Sequence, residues 1–228
     1  MDSMYDILLS LPLFKGVSLP RIFELIGSSR FHFLKYLQGE KIVDEGDRCT
    51  HIKFIISGSA RSTISNSNGR FRVAQTLSAP DVIAPEYLLG LTPFYPCDVI
   101  ALEPVGIMQI EKQDYIRMLE SDEIFLLNYT NLLSMKAQRA VDGILAITSG
   151  SLEERIAYWI ASLTSQGGTD IVLTCRQRDL YALFGVQRSS FVGVLDNMRD
   201  RGLITFDHNE IRVTSRRELL QVLSIPRE

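Results

Sequence analysis

The sequence predicts an α+β protein with three parts in series: an antiparallel β-barrel or roll, one long helix, and a small helical unit that closes with a β-hairpin. Three observations carry this expectation. Between residues 40 and 110, short apolar segments recur between turn clusters, the spacing of many antiparallel strands. Over residues 122–148, apolar side chains fall at threes and fours without a break, the longest helical run in the chain. Residues 174–213 read as two short helices broken at Phe184-Gly185-Val186, then a hairpin turning at Asp207-His208-Asn209.

Taken in order, residues 9–34 look helical and amphipathic, with Leu11, Phe14, Ile22, Leu25 and Ile26 as core positions. Strands are expected at residues 41–43, 51–57, 60–65, 72–77, 99–102 and 106–110. The turns between them include Glu45-Gly46-Asp47, Ser57-Gly58, Asn66-Ser67-Asn68-Gly69 and Ser78-Ala79-Pro80-Asp81. Helix returns at 112–119. The long run follows, with Phe125, Tyr129, Leu132, Leu133, Ala137, Ala140, Ile144 and Ile147 along it.

That stripe is more than one side of a small domain covers, so this is a dimerisation helix, with Tyr129, Leu132, Leu133, Ala140 and Ile144 as its contacts. The plainer alternative is that it packs on its own barrel. Thr148-Ser149-Gly150 is the expected hinge. Ser151 with Glu154 forms a capping box opening a helix that carries Ile156, Trp159, Ile160 and Leu163, ended by Gln166-Gly167-Gly168-Thr169. Ser215 with Glu218 opens a last helix bearing Leu219, Leu220 and Val222. The domain boundaries that follow are 1–121, 122–148 and 149–228.

Residues 174–213 carry the strongest functional signal. Thr174 with Gln177 has the form of a capping box, predicting a helix from Cys175 with Leu180, Leu183 and Phe184 on one face. Gly185 supplies a tight turn. The second helix, about 187–201, buries Phe191, Val194, Leu195 and Met198 and leaves Arg188, Ser189, Ser190, Gly193, Asn197 and Arg201 pointing elsewhere. This is helix-turn-helix grammar, in which the second helix enters a DNA major groove, and the hairpin would be the wing. The structural alternative is a small α/β unit that merely packs on something else.

Charge and cysteines bound the function. The net charge of −3 is unusual for a protein that neutralises phosphates. After Lys136, however, the chain has no lysine and relies on Arg155, Arg176, Arg178, Arg188, Arg199, Arg201, Arg212, Arg216 and Arg217, which can fork onto phosphate or guanine. Nearby acids match them, so non-specific binding should be modest and a dimer would double the contacts. Cys49, Cys97 and Cys175 form neither a disulfide framework nor a metal knuckle, and no metal site is expected. No apolar run approaches the ~20 residues of a membrane span. The opening MDSMYDILLSLPLFKG lacks a signal-peptide pattern, so a cytoplasmic location is expected.

In this order and spacing, several phrases together resemble the CRP/FNR family of bacterial transcription regulators across nearly the whole chain. They are Leu13-Phe14-Lys15-Gly16, Gly39-Glu40-Lys41-Ile42 followed by Glu45-Gly46-Asp47, Phe54-Ile55-Ile56-Ser57-Gly58, and Asp81 after a turn. The resemblance implies an N-terminal cyclic-nucleotide-binding-type β-roll of the double-stranded jelly-roll type, a central dimer helix and a C-terminal winged helix-turn-helix. It implies a homodimer on a double-stranded DNA operator, answering to a small-molecule effector, with RNA polymerase as a further partner it leaves open.

Members that bind a cyclic nucleotide use Gly-Glu, then Arg-Ser or Arg-Thr, for the phosphate and ribose. Here Ala84 and Pro85 fall on the Gly and Glu positions, Glu86 comes one residue late, and the second half, within 94–98, holds no cation. No Arg or Lys occurs between Arg72 and Lys112, and Glu86 and Asp98 add negative charge. Binding of cyclic AMP or GMP is therefore not expected. Ala84, Pro85, Glu86, Tyr87, Tyr95, Pro96 and Cys97 would line whatever pocket remains, or fill it.

An iron-sulfur cluster on four N-terminal thiolates is excluded, because no cysteine precedes Cys49. Haem would need His32 or His51 as axial ligand, and each stands alone in a polar setting that favours a solvated or structural role. Cys97, with no cation to lower its pKa, reads as structural.

The reading helix also departs from the family, with Ser189 and Gly193 where a Glu and a second Arg are common. The candidate readers become Gln187, Arg188, Ser189, Ser190 and Asn197. Arg176, Arg178 and Arg212, together with the helix start at Thr174, suit phosphates. The expected function is a sequence-specific DNA-binding regulator without catalysis. The alternative is a sensor whose C-terminal module binds a protein.

Overall fold

The computed structural model of the chain describes residues 4–28 and 30–220. In chain order the elements are α1 (Met4–Ser10), α2 (Leu19–Ser28), β1 (Phe31–Tyr36), β2 (Lys41–Val43), β3 (His51–Ser57), β4 (Ser59–Ser65), β5 (Arg72–Ser78), β6 (Asp81–Ile83), β7 (Asp98–Ala101) and β8 (Val105–Glu111). They continue as α3 (Lys112–Ser121), α4 (Glu123–Ala146), α5 (Leu152–Ser162), β9 (Thr169–Thr174), α6 (Gln177–Leu183), α7 (Arg188–Asp200), β10 (Thr205–Phe206), β11 (Glu210–Ser215) and α8 (Arg216–Leu220).

The chain packs as two units. One takes the chain up to Ser62 together with Ser78–Met135; the other takes Thr63–Leu77 together with the chain from Lys136. The tip of the β4–β5 hairpin thus belongs with the C-terminal unit rather than with residues 1–121. The reason is a strand pairing remote in sequence: β5 lies antiparallel to β9, Val73 opposite Leu173 and Ala74 opposite Val172.

In the first unit β1, β8, β3 and β6 form one antiparallel sheet in that order, and β2 pairs with β7. Alternation sets the inside: along β3, Ile52, Phe54 and Ile55 are buried. The first half of α4 docks through aromatic rings. Phe125 meets Phe14 edge-on at 5.1 Å and Tyr115 at 5.4 Å, and Tyr129 meets Tyr115 at 5.5 Å. Such pairs add about 0.5–1.5 kcal/mol each beyond the area they bury.

The helix expected over 9–34 ends instead at Ser28, and residues 31–36 form β1 against β8. Leu34 is therefore a strand residue. Its segment, Phe-His-Phe-Leu-Lys-Tyr, is rich in aromatic strand formers, and pairing with β8 overrides the helical spacing. Leu11, Phe14, Ile22 and Leu25 are buried, while the Ile26 side chain lies outside the described part. Asp81, assigned above to a turn, opens the short strand β6.

The second unit has β5, β9, β11 and β10 in order, with α5, α6, α7 and α8 packed around Ile160, Leu173, Phe191, Leu195 and Ile211. Strand β9 is absent from the sequence reading, which ended a helix at Thr169 and resumed at Thr174. Its register, Ile211 opposite Leu173 and Val213 opposite Ile171, is set by a partner some forty residues on. The capping box at Ser151 is present: Ser151 Oγ accepts from Glu154 N at 3.3 Å and Glu154 Oε2 accepts from Ser151 N at 2.8 Å. Leu219 is buried in α8, and Val222 lies outside the described residues.

Candidate nucleic-acid interface

The helix-turn-helix is built by two glycines. After α6 the chain closes with Val186 N donating to Tyr181 O at 3.0 Å and Gly185 N to Ala182 O at 3.2 Å, with Gly185 at φ +64°. This Schellman pairing needs a left-handed residue, which glycine adopts without a Cβ clash. The same arrangement ends α7, where Leu203 N donates to Met198 O and Gly202 N to Arg199 O around Gly202 at φ +74°. Between the two stops, α7 is anchored by Phe191, Leu195 and Met198, all wholly buried.

The opposite side of α7 is open. Gln187 precedes its first turn; Arg188, Ser189, Ser190, Gly193 and Asn197 are all exposed. Arg188 and Arg178 make no ion pair or hydrogen bond among the described residues, and both are exposed. The other arginines here are held by acids: Arg176 by Asp179 at 3.1 Å, Arg199 by Asp196 at 2.8 Å, Arg201 by Glu153 at 2.5 Å and Arg212 by Glu210 at 2.5 Å. The surface therefore offers two unpaired cations and four half-neutralised ones. Arg176 and Arg212 bond their acids through Nε, which leaves their Nη donors open but their charge partly neutralised.

Thr174 does not cap α6. It is the last residue of β9, and the cap is Arg176, which makes no side-chain capping bond. Gln177, expected to complete that box, reaches the wing instead: its Nε2 donates to Asp207 O at 2.8 Å, while Cys175 N donates to Asn209 O at 2.7 Å. The wing turn and the start of α6 are thus one hydrogen-bonded block, missed because its members lie some thirty residues apart. Leu183, expected above on one face with Leu180 and Phe184, is 44% exposed while those two are buried.

In the first unit, the segment that departs from the nucleotide cassette buries Pro85, Leu88, Tyr95 and Cys97 and leaves Leu91 and Phe94 exposed. Ala84 takes a left-handed backbone (φ 41°, ψ 49°), the shape a glycine adopts without strain, and Pro85 begins a 3₁₀ turn with no N–H to offer. The Pro85 carbonyl accepts the Tyr129 hydroxyl at 3.0 Å, so Tyr129 faces its own roll, not the exposed side of α4 assigned to it above. Tyr95 is buried with its hydroxyl on His51 O at 3.1 Å. Cys97 is buried too, and burial followed by the charges of Glu86 and Asp98 raises its thiol, the Ser62 hydroxyl opposing this. Burial and then the neighbouring Cys97 and Glu86 push Cys49 to about 11. Burial and then Glu86 push Tyr129 to about 12.

Asp98 is less isolated than the sequence suggests. It accepts from Glu45 N at 3.0 Å and from Lys41 Nζ at 3.3 Å, and these hold its carboxyl below the usual range. His51 lies edge-on to His32 at 6.4 Å, and burial, then Lys53, lowers its pKa.

Comparison with known proteins finds two domain families in series along the chain. The cyclic nucleotide-binding domain family matches residues 33–122, and the Crp-like helix-turn-helix domain family matches residues 154–222; together they span well over half of the chain. The chain belongs to the CRP/FNR family of transcription regulators. As a CRP/FNR regulator it is a DNA-binding protein with a Crp-like helix-turn-helix domain.

No curated protein matches it in sequence. Among solved structures, the catabolite activator protein of Thermus thermophilus aligns over 92% of this chain and 97% of its own, at 20% identity and TM-score 0.53. The sensor domain of the regulator DNR from Pseudomonas aeruginosa aligns over 64% and 93%, at 19% identity and TM-score 0.51. A transcriptional regulator from Thermotoga maritima aligns over 57% and 98%, at 18% and 0.50. At these identities the likeness is one of fold. Among the described residues of this CRP/FNR chain, no helix is long and apolar enough to cross a membrane.

Proposed function

We propose that this CRP/FNR regulator works as a homodimer that reads a DNA operator of its own and answers to something other than a cyclic nucleotide, or to no ligand at all. The observation that carries the DNA-reading part is the open side of α7, where unpaired Arg188 stands beside Gln187, Ser189, Ser190 and Asn197. These are hydrogen-bonding side chains with no partner or core to serve, at the end of a helix that inserts first into a major groove. Arg178 is the first candidate for phosphate; Arg176 and Arg212 join it through their open Nη donors.

Dimerisation through α4 is supported by its exposed face. Leu126, Thr130, Leu133, Ala137, Ala140 and Ile144 recur four and three residues apart in alternation, the repeat of a two-helix seam, all exposed except the half-buried Leu133. Leu126 and Ile144 are 46% and 68% exposed, and the small Ala137 and Ala140 let a second helix approach closely. Leu132 is half-buried beside this seam rather than at its centre.

Loss of cyclic-nucleotide binding is supported by the charges around the cassette: Glu86 acts on Cys49, Cys97 and Tyr129, residues 73–111 contribute no Arg or Lys, and Lys41 is held by Asp44 and Asp98. In the mechanism we infer, a change in the roll shifts α4 and the hinge at Gly150, which has φ +90°, and so alters the spacing of two α7 helices relative to successive grooves. The family's members are regulators, and the site assembled here is one for recognition rather than bond-making. Selection from random duplex DNA tests the proposal: recovery of a palindromic site supports it, and binding only to a protein partner, indifferent to DNA sequence, overturns it.

A further inference from the structure

Arg155 sits one turn into α5, four residues past the Ser151 cap, where a cation gains nothing from its own helix because that end of the dipole is already positive. Its side chain leaves the helix and forks. Nε donates to Ile147 O, just beyond the end of α4, at 2.7 Å. Nη2 donates to Phe184 O, the C-cap of α6, at 2.5 Å. Both acceptors are carbonyls at helix C-termini, where the backbone lacks internal partners and the dipole favours a positive charge.

The fork continues into the reading helix through rings. The guanidinium carbon stands 5.6 Å from the centroid of Phe184. Phe184 stacks on Phe191 of α7 with centroids 6.1 Å apart and planes 22° from parallel, and Trp159 of α5 meets it edge-on at 5.6 Å. Phe184 and Phe191 are 3% and 0% exposed, so neither has room to tilt independently. Two glycines with positive φ stand at the chain turns beside these contacts, Gly150 between Ile147 and Arg155 and Gly185 directly after Phe184. The planar guanidinium thus bridges the turn at Gly150 directly, and reaches across Gly185 through Phe184, whose ring stacks on Phe191. Lysine carries its donors on a single nitrogen and cannot reproduce the separated Nε and Nη2 of this fork.

We propose that Arg155 is a positioning residue: it fixes the angle of α7 to the end of α4, so that the reading helix moves with the long helix as one body. This rests on the reading of α7 as the DNA-reading helix, but its test does not use DNA. Nitroxides at Gln138→Cys and Asn197→Cys report the distance from α4 to α7 by electron double resonance. The native Cys49, Cys97 and Cys175 are buried, and dilution into unlabelled chain removes signals between chains.

The parent should give one narrow distance distribution. Arg155→Met should widen it at least about twofold while circular dichroism and cooperative unfolding persist, and Arg155→Lys should fall between. An unchanged distribution in a folded Arg155→Met protein overturns the proposal. If Arg155→Met does not fold, Arg155→Lys decides: widening supports the clamp and a parental width overturns it. Widening that appears only together with lost cooperative unfolding assigns Arg155 to stability alone and also overturns it. Failure of the DNA reading would show separately, as absent operator binding by the unsubstituted chain.

Discussion

Truncating Arg188 to alanine separates reading from folding. The side chain is exposed, starts α7 and holds no internal partner, so its removal leaves no buried group unsatisfied. Stability should move by no more than about 0.5 kcal/mol. On DNA the loss is larger. A forked contact to a base edge carries about 1–3 kcal/mol, and a dimer makes it twice, giving about 2–6 kcal/mol, or roughly 30-fold to twenty-thousand-fold in affinity.

The two roles open to Arg188 differ in their signature. If it reads a base, Arg188→Ala relaxes preference at one position per half-site and leaves the salt dependence unchanged. If it meets a phosphate, preference is kept and the slope of log affinity against log salt falls by about 0.9 per contact. Filter binding on the operator and its single-base variants, between about 50 and 200 mM salt, distinguishes them. Arg178→Ala serves as the phosphate control. Unchanged affinity, unchanged base preference and unchanged slope for Arg188→Ala together refute the role assigned to it.

Three further outcomes follow from the same geometry. Calorimetry with cyclic AMP or cyclic GMP should show no binding in the micromolar range, and a tight, saturable heat would contradict the account of the cassette. Two glycines in the reading unit should respond with opposite signs: Gly185→Ala, forced into a left-handed backbone with open space around its Cβ, should cost about 1–2 kcal/mol, whereas Gly193→Ala, within α7 and equally open, should gain about 0.5–1 kcal/mol in thermal or urea unfolding. Ala140→Asp places one carboxylate per chain in the α4 seam; at several kcal/mol per buried ion, light scattering should find monomer where the parent is dimer, and an intact dimer would remove α4 as the interface.

Elements whose signal is local were legible in the sequence. Strand β3 and the capping box at Ser151 follow from alternation and from a three-residue spacing, and both are formed as expected. What was missed depends on partners remote in the chain. Strand β9 is a short run, Asp170-Ile171-Val172-Leu173, that means little until β11 and β5 flank it. With β9 unseen, Thr174 and Gln177 imitated a cap, although Thr174 ends a strand and Gln177 bonds to the wing.

At the candidate site, the exposed side of α7 was legible from helical period alone. The pairing of Arg176 with Asp179 and of Arg212 with Glu210 was available from their spacing, three apart on a helix start and two apart on a strand, yet the tally of arginines treated all as equivalent. Arg155 gave no signal, because its meaning lies in two carbonyls contributed by other helices.

The central claim is that α7, repeated twice in a dimer, reads DNA sequence. Selection of sites from a random duplex library by the full chain, followed by sequencing, addresses it directly. The account predicts a palindrome of two half-sites whose centres lie about one helical turn, 10–10.5 base pairs, or a multiple of it apart. Binding that is uniform across the library, or a single half-site without symmetry, would contradict it.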